Sequence, residues 1–598
     1  MGSRVLDAVP QAAQTIFVAL ALALPLFVGA NSYALFVATQ LGIYIIAAIG
    51  LNLLAGYAGQ VSLGHGAFVA IGAYSVALLT VDHHWSFWAA AAVGMVLAAG
   101  LGVLAALPSF RLNTWYFAFI TLAFALVFEK MIVEWRWLTK GFAGVVGVPP
   151  PVAFGVQFGP KPVYWLVAAA AIASFLVVRN IVHSRFGRAF VAVRDAEPAA
   201  LAVGVSPQRA KLIAFVISAA LAGGAGAFFA VQKTVVTPDD FTADFSIFFL
   251  LTVVLGGLGT LWGPVIGALV FFLIPELLAG LQSWRMLIYG CLLLSLMLFA
   301  PHGLFGALRK GWQRFAVKPE TSRGPDAIAE QVAHPPISGL SLEVRGLRKR
   351  FGGVLALDGV DFSAPAGSCV AIVGPNGSGK TTLLNLASGY YDADSGSVHI
   401  GGIETLGISA NKIAARGVGR TFQTPRLLND LTVIENVLLG AYTREGAGLP
   451  AIALRLPAAR AEARRLREQA MGYLTFVGVA DRAESEAGEI PHGQQRLIEI
   501  ARAMMGGARL ILLDEPAAGL SMAELDRLER LIARICGLGA TIVIVEHHLD
   551  LVANIASSVM VLDRGAVLAV GEPAAVFKDE GVLRAYMGER ALKSGASM

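Results

Sequence analysis

The chain has 598 residues, of which 56% are hydrophobic and only 15% charged; a soluble domain averages about 25% charged, so a large part of this chain lies outside water. A dispersed net charge of +5 is too small to indicate a nucleic-acid partner. The cysteines, Cys291, Cys369 and Cys536, are far apart and form no CxxC or His/Cys cluster, which argues against a metal site or a disulfide framework.

The shortage of charge is uneven. Residues 11–107 carry one acid, Asp82, and no Lys or Arg, whereas 340–598 have an ordinary soluble mixture. A transmembrane helix needs about 20 mostly apolar residues. Such runs fall at 12–29, 33–54, 61–80, 86–107, 114–133, 163–182, 211–231, 246–262, 264–281 and 285–300. An all-α polytopic membrane bundle of about ten spans is therefore expected over residues 1–310. The first run has a signal peptide's length, but it lacks a strong basic flank and a further span follows at once.

The tract 55–73 is rich in Gly and Ala, which lets helices approach closely, and it holds Gln60, Ser62 and His65. Polar groups at membrane depth face a bundle interior or a water-filled path. These three are candidates for a substrate route, with hydrogen bonding between helices as the competing role. Glu129 and Lys130, near a helix end, suit an interfacial or paired role. Basic residues set the orientation. Arg179, Arg185, Arg188, Arg194, Arg209 and Lys211 mark one cytoplasmic loop, and Arg309, Lys310, Arg314 and Lys318 mark a second. Four crossings separate the two, so they agree; the N-terminus then lies inside and the acidic tip Asp239, Asp240, Asp244 outside.

Residues 311–339 read as a cytoplasmic linker, because 319–338 are Pro-rich, polar and without periodicity. Residues 340–598 read as an α/β P-loop domain. An apolar strand, Ser368–Val373, runs into Gly374, Pro375, Asn376, Gly377, Ser378, Gly379, Lys380, Thr381 and Thr382, and a helical stretch follows at Leu383–Ser388. Glycines let backbone N–H groups curl round phosphate oxygens at a helix start. Lys380 is expected to reach the β- and γ-phosphates of ATP, and Thr381 to ligate Mg²⁺. A second apolar strand, 510–513, ends in Asp514 and Glu515. Asp514 is placed to hold Mg²⁺, and Glu515 to polarise the attacking water.

With these motifs in place, residues 342–590 resemble ABC transporter nucleotide-binding domains from end to end. The resemblance implies roles by position. Phe351 stacks on adenine. Gln423 occupies the loop that senses the permease and joins Thr381 and Asp514 around the metal. His547 is the switch histidine, Ala517–Ser521 form the D-loop, and Gly493 and Gln494 belong to the signature motif. That motif departs from the usual Leu-Ser-Gly-Gly-Gln: here it is Ile490-Pro491-His492-Gly493-Gln494. Pro491 offers neither hydroxyl nor N–H. Either the composite ATP site it completes is weakened, or backbone and helix-dipole contacts suffice.

The membrane half has its own signature. Residues 50–68, Gly256–Pro264, and Phe186-Gly-Arg-Ala leading into 194–204 resemble permeases of the branched-chain amino acid type, across most of 35–305. Residues 493–496 and 583–588 resemble the ATPase subunit paired with such permeases, so the chain looks like a fusion of two normally separate subunits. Arg194, Glu197 and Gly204 match the segment that carries the coupling helix, with Pro198 in place of an alanine; Pro is tolerated in a first turn, so a helix starting near Glu197 is expected. The resemblance implies ATP-driven import of branched-chain amino acids or a related small polar solute (urea, short amides and aromatic acids are alternatives) at a bacterial inner membrane. One P-loop and one signature motif per chain require a partner. The implied partners are a second permease, a second ATPase and an external substrate-binding protein, or else a second copy of this chain. A homodimeric exporter is a competing reading, although exporters of this superfamily have about six long spans. A membrane-anchored ATPase that moves nothing is another, against which the coupling-like segment and the polar Gly-rich tract speak.

Overall fold

The computed structural model describes residues 11–29, 32–110, 114–277, scattered positions between 284 and 307, and 335–585. The chain divides into two compact units. One comprises 1–195, 207–321 and 448–459; the other comprises 196–206, 322–447 and 460–598.

The first unit is helical: α1 (Gln11–Phe27), α2 (Tyr33–Asn52), α3 (His65–Val81), α4 (Phe87–Ala106), α5 (Thr114–Glu134), α6 (Arg136–Thr139), α7 (Pro160–Val182), α8 (Arg185–Asp195), then α10 (Pro207–Lys233), α11 (Ala243–Gly257) and α12 (Gly263–Leu277), with α9 (Glu197–Ala202) belonging to the other unit. Nine of the ten expected apolar runs fall on these helices; the tenth, 285–300, lies largely outside the described residues. Among the described residues, six helical segments are long and apolar enough to cross a membrane: 33–57, 87–106, 116–134, 160–182, 207–233 and 238–257. Three more, 14–27, 65–81 and 263–273, are apolar but shorter. The third run starts at His65 rather than 61, because residues 58–64 leave the helix after a π-turn at Leu53–Tyr57. The eighth and ninth runs are likewise shortened by the break at 258–262.

Non-helical backbone among apolar helices must find protein partners for its polar groups, and both breaks do. Asn52 serves the second: its Oδ1 accepts from Gly259 N–H at 2.9 Å, and its Nδ2 donates to Thr260 O at 2.7 Å. At the first, Leu63 N–H donates to Thr121 Oγ1 at 2.9 Å, and Gly66 N–H to Ser246 Oγ at 2.9 Å. Arg194, at the end of α8, donates from Nη1 to Gly56 O at 2.7 Å. Small residues bring α3 and α10 together: a Cβ on Gly72 would lie 1.9 Å from Gly223 O, and one on Gly226 1.9 Å from Val69 O. The five-residue helix Leu449–Ala453 also packs within this unit, where Asn180 Nδ2 donates to Ala453 O at 2.8 Å.

The second unit holds two sheets. In the six-stranded one the order is Val418–Arg420, Leu510–Asp514, Thr541–Val545, Cys369–Val373, Ser558–Asp563 and Ala566–Gly571; only the last pairing is antiparallel. Its central strands are continuous apolar runs buried on both faces, as parallel sheets require. The four-stranded antiparallel sheet comprises Val354–Ala364, Leu342–Phe351, Ser395–Ile400 and Ile403–Glu404. One core packs between the sheets and a second lies on the far face of the larger sheet, under the helices.

Candidate functional site

In an open parallel sheet, ligands bind beyond the carboxyl ends of the strands. Three adjacent parallel strands end here at one edge. Cys369–Val373 delivers Gly374, Leu510–Asp514 delivers Asp514 and Glu515, and Thr541–Val545 delivers Glu546 and His547. The loop from Gly374 curls back and enters the helix Lys380–Ala387. Gly374 adopts φ +150°, and a Cβ there would meet Leu562 O at 2.1 Å, so no other residue fits this bend.

Lys380 is buried, and its Nζ donates to Gly374 O at 2.8 Å and Pro375 O at 2.9 Å. Burial pulls its ammonium below the ordinary lysine range, against the opposing pull of Glu515 and Asp514. Thr381 Oγ1 donates to Asp514 Oδ1 at 3.4 Å, and Arg420 Nη2 lies 3.5 Å from Asp514 Oδ2. Burial raises the Asp514 carboxyl above the usual aspartate range, opposed by Arg420. Gln423 Nε2 donates to Glu515 Oε2 at 2.9 Å, and His547 Nδ1 stands 4.0 Å from the same oxygen. Glu515 holds a left-handed φ of +45°, a strained conformation that functional residues often adopt.

The donor set fits a magnesium nucleotide. Ser378 Oγ is buried with no hydrogen-bond partner among the described residues, and so is left for a phosphate oxygen. Thr381 and Asp514 present two hard oxygen donors side by side, as Mg²⁺ prefers. Phe351, 42% exposed, meets Tyr391 edge-on at 5.3 Å and leaves ring surface open for a base. Asn376, Gly377, Gly379 and Thr382 lie in the loop and first turn between these groups. Gly493 and Gln494 open the helix His492–Met505, whose N-cap is Pro491.

The other expected residues distribute as follows. Glu197 starts α9 with Pro198 in its first turn, and Tyr390 Oη donates to Pro198 O at 2.6 Å. Gly204 sits at φ +84°, and a Cβ there would strike Thr443 Cγ2 at 2.3 Å. Arg194 lies one element earlier, in α8, where it braces the Gly56 carbonyl. His65 is buried, with Nε2 2.9 Å from Ala47 O across to α2. Ser62 Oγ accepts from Gly64 N–H at 3.3 Å, and Gln60 Oε1 is buried without a hydrogen-bond partner among the described residues.

Several site residues escaped the sequence reading. Glu546, fully buried, accepts from Ala517 N–H at 2.7 Å and His547 N–H at 3.0 Å, and so ties the loop after Glu515 to His547. Arg420 lies against Asp514, and Asn52 against the second break. Asn52 stood in an apolar run, which is the signal that singled out Gln60; nothing in sequence marked Glu546 or Arg420 above other charged residues.

Residues 33–299 match the family described as "Branched-chain amino acid transport system / permease component", and residues 357–518 match the ABC transporter family. A "High-affinity branched-chain amino acid transport ATP-binding protein BraF" of Pseudomonas aeruginosa is 40% identical over 249 residues, which is 42% of this chain and 98% of the relative. A LivG ATP-binding protein of Salmonella typhimurium is 37% identical over the same shares. The "High-affinity branched-chain amino acid transport system permease protein LivM" of Escherichia coli is 33% identical over 297 residues, 46% of this chain and 70% of the relative. With permease-type apolar helices in one unit and a P-loop sheet edge in the other, the chain is a nucleotide-binding membrane protein that belongs to the branched-chain amino acid transport family of ABC transporters, its permease and ATP-binding parts joined in one polypeptide.

Proposed function

We propose that this chain imports branched-chain amino acids across a bacterial inner membrane, driven by ATP hydrolysis. Residues 1–310 form the permease, 311–339 a tether and 340–598 the cytoplasmic ATPase. The observation that carries the reading is the placement of α9: a segment from between permease helices packs within the ATPase unit, against Tyr390 and Thr443.

Phosphates lie along the Gly374–Thr382 loop, with Lys380 on the β- and γ-phosphates and Ser378 supplying a further donor. Thr381, Asp514 and Gln423 would hold Mg²⁺, which would supply charge neutralisation on the phosphate oxygens. Glu515 orients water and takes its proton as the oxygen attacks the γ-phosphorus, while Gln423 fixes that carboxylate and His547 senses the γ-phosphate. Phe351 holds the base. ATP bridging two ATPase domains favours their closed pair, because a ligand shifts an equilibrium by its preference for one state; Glu197–Gly204 carries that movement to the permease. One chain supplies one P-loop and one signature motif, so the working assembly adds a second permease, a second ATPase and an external binding protein. Gln60, Ser62 and His65 lie on the solute path in this reading.

The test is uptake of labelled leucine by cells that express the chain with the products of its neighbouring reading frames. ATP-dependent accumulation, competed by isoleucine and valine, is expected. Accumulation of urea, a short amide or an aromatic acid with none of leucine would overturn the assignment, as would net efflux.

A further inference from the structure

Residues 421–427 belong to no helix or strand, so their backbone polar groups need partners elsewhere. Much of that demand is met by one side of the signature helix, His492–Met505. Arg496 spreads its guanidinium over two carbonyls, donating to Phe422 O at 2.5 Å and to Gln423 O. One turn on, Glu499 Oε1 accepts from Arg426 N–H at 2.9 Å. After another turn, Arg502 donates to Arg426 O at 2.9 Å and to Glu499 Oε1 at 3.0 Å. All three side chains are almost wholly buried.

Buried charges are costly unless they are bonded, and this set directs its hydrogen bonds to the backbone flanking Gln423, with Arg496 Nε and Glu499 Oε2 left over among the described residues. The same Gln423 donates to Glu515 at 2.9 Å. The signature helix begins at Pro491, within two turns of Arg496. A short, rigid path therefore joins the helix tip to the carboxylate at the sheet edge. Burial raises the Glu499 carboxyl, while Arg502, the Arg426 N–H and Arg496 pull it back.

We propose that Arg496, Glu499 and Arg502 form a clamp that positions Gln423, and through it Glu515, according to the placement of the signature helix. They are positioning residues: the nucleotide state met at the helix tip is transmitted to the water-orienting carboxylate. The proposal rests on the reading of Gln423 and Glu515 given above.

The test is a double-mutant cycle in the full assembly, purified from membranes by a tag on this chain. Glu499→Gln keeps an acceptor for Arg426 N–H but removes the charge. It is expected to lower kcat for ATP hydrolysis about tenfold, with nucleotide affinity within about twofold of the parent. Combined with Gln423→Ala it should add nothing, because both changes cut one path. Arg496→Lys, which loses the two-carbonyl fork, should behave alike and serves if Glu499→Gln fails to accumulate. Unchanged kcat, a loss carried by affinity instead, or losses that multiply with Gln423→Ala would each overturn the clamp. If Gln423→Ala and Glu515→Gln themselves leave hydrolysis intact, the site reading fails and takes the clamp with it; if they abolish it while the effects multiply, the clamp alone fails.

Discussion

The two units bury polarity in opposite ways. At the ATPase sheet edge buried charges gather, Lys380, Arg420, Asp514 and Glu546, with Arg496, Glu499 and Arg502 beneath them, beside the neutral Ser378 and Thr421. In the membrane unit the buried polar side chains are neutral, with Arg188 as the exception among the described residues; Asn52, Ser62, Thr121, Ser246 and Thr260 bond to backbone at or beside the two helix breaks, while Thr39, Thr80 and Thr252 bond to carbonyls of their own helices. Charge held in a dry site stabilises a reacting phosphate, whereas neutral donors and small residues let helices bend and pack without an ionic penalty.

That contrast is broken most sharply at Glu515. Glu515→Gln should cut phosphate release about 10²- to 10⁴-fold while fluorescent-nucleotide binding persists; retained turnover would mean that the charged edge is not the reacting one. On the membrane side the decisive contacts are steric. Gly72→Ala drives a methyl group into the Gly223 carbonyl and should cost about 1–3 kcal/mol, read as a lower thermal midpoint in detergent. Gly100→Ala, with nothing within 4 Å of its Cβ, should leave the midpoint unchanged or raise it, for a gain in stability of up to about 1 kcal/mol.

A smaller effect sharpens the electrostatic side. Asp514 is raised chiefly by burial, so the folded state holds a proton that the unfolded state has already released over the window between the two pKa values. Stability therefore falls as pH rises through that window. Asp514→Asn should raise the nucleotide-free thermal midpoint at pH 7, and the gain should fade as the pH is lowered through the carboxylate range; an equal gain at every pH would contradict the sign. Smallest is Pro491→Ser. If Pro491 weakens the composite site, turnover rises by up to about fivefold, the worth of one hydrogen bond; no change means that the backbone and helix dipole suffice.

How much was legible in the sequence follows the same divide. Phosphate binding demands fixed residue types at fixed spacing, so Gly374–Thr382 and a strand at 510–513 were readable from the sequence, while the likeness to importer permeases supplied a helix starting near Glu197. The apolar runs placed nine helices but not their breaks. Periodicity is silent about a seven-residue departure at 58–64 or a five-residue one at 258–262, whose backbone is met in part by Thr121 and Asn52 respectively, from distant parts of the chain. His65, a candidate for the solute path, also bonds across to Ala47 O, while Gln60 keeps a buried oxygen without a partner among the described residues. The clamp was invisible for a related reason: Arg496, Glu499 and Arg502 look like an ordinary polar helix face until Phe422, Gln423 and Arg426 are folded against them.

The central claim is that nucleotide held at Lys380 drives solute through the apolar bundle joined to it. The direct measurement is leucine accumulation in sealed vesicles carrying the complete assembly, with ATP supplied on the cytoplasmic face, comparing the parent with Lys380→Ala. The account predicts accumulation that needs ATP and vanishes in the variant; accumulation surviving in Lys380→Ala, or parent vesicles that hydrolyse ATP yet move leucine in neither direction, would contradict it.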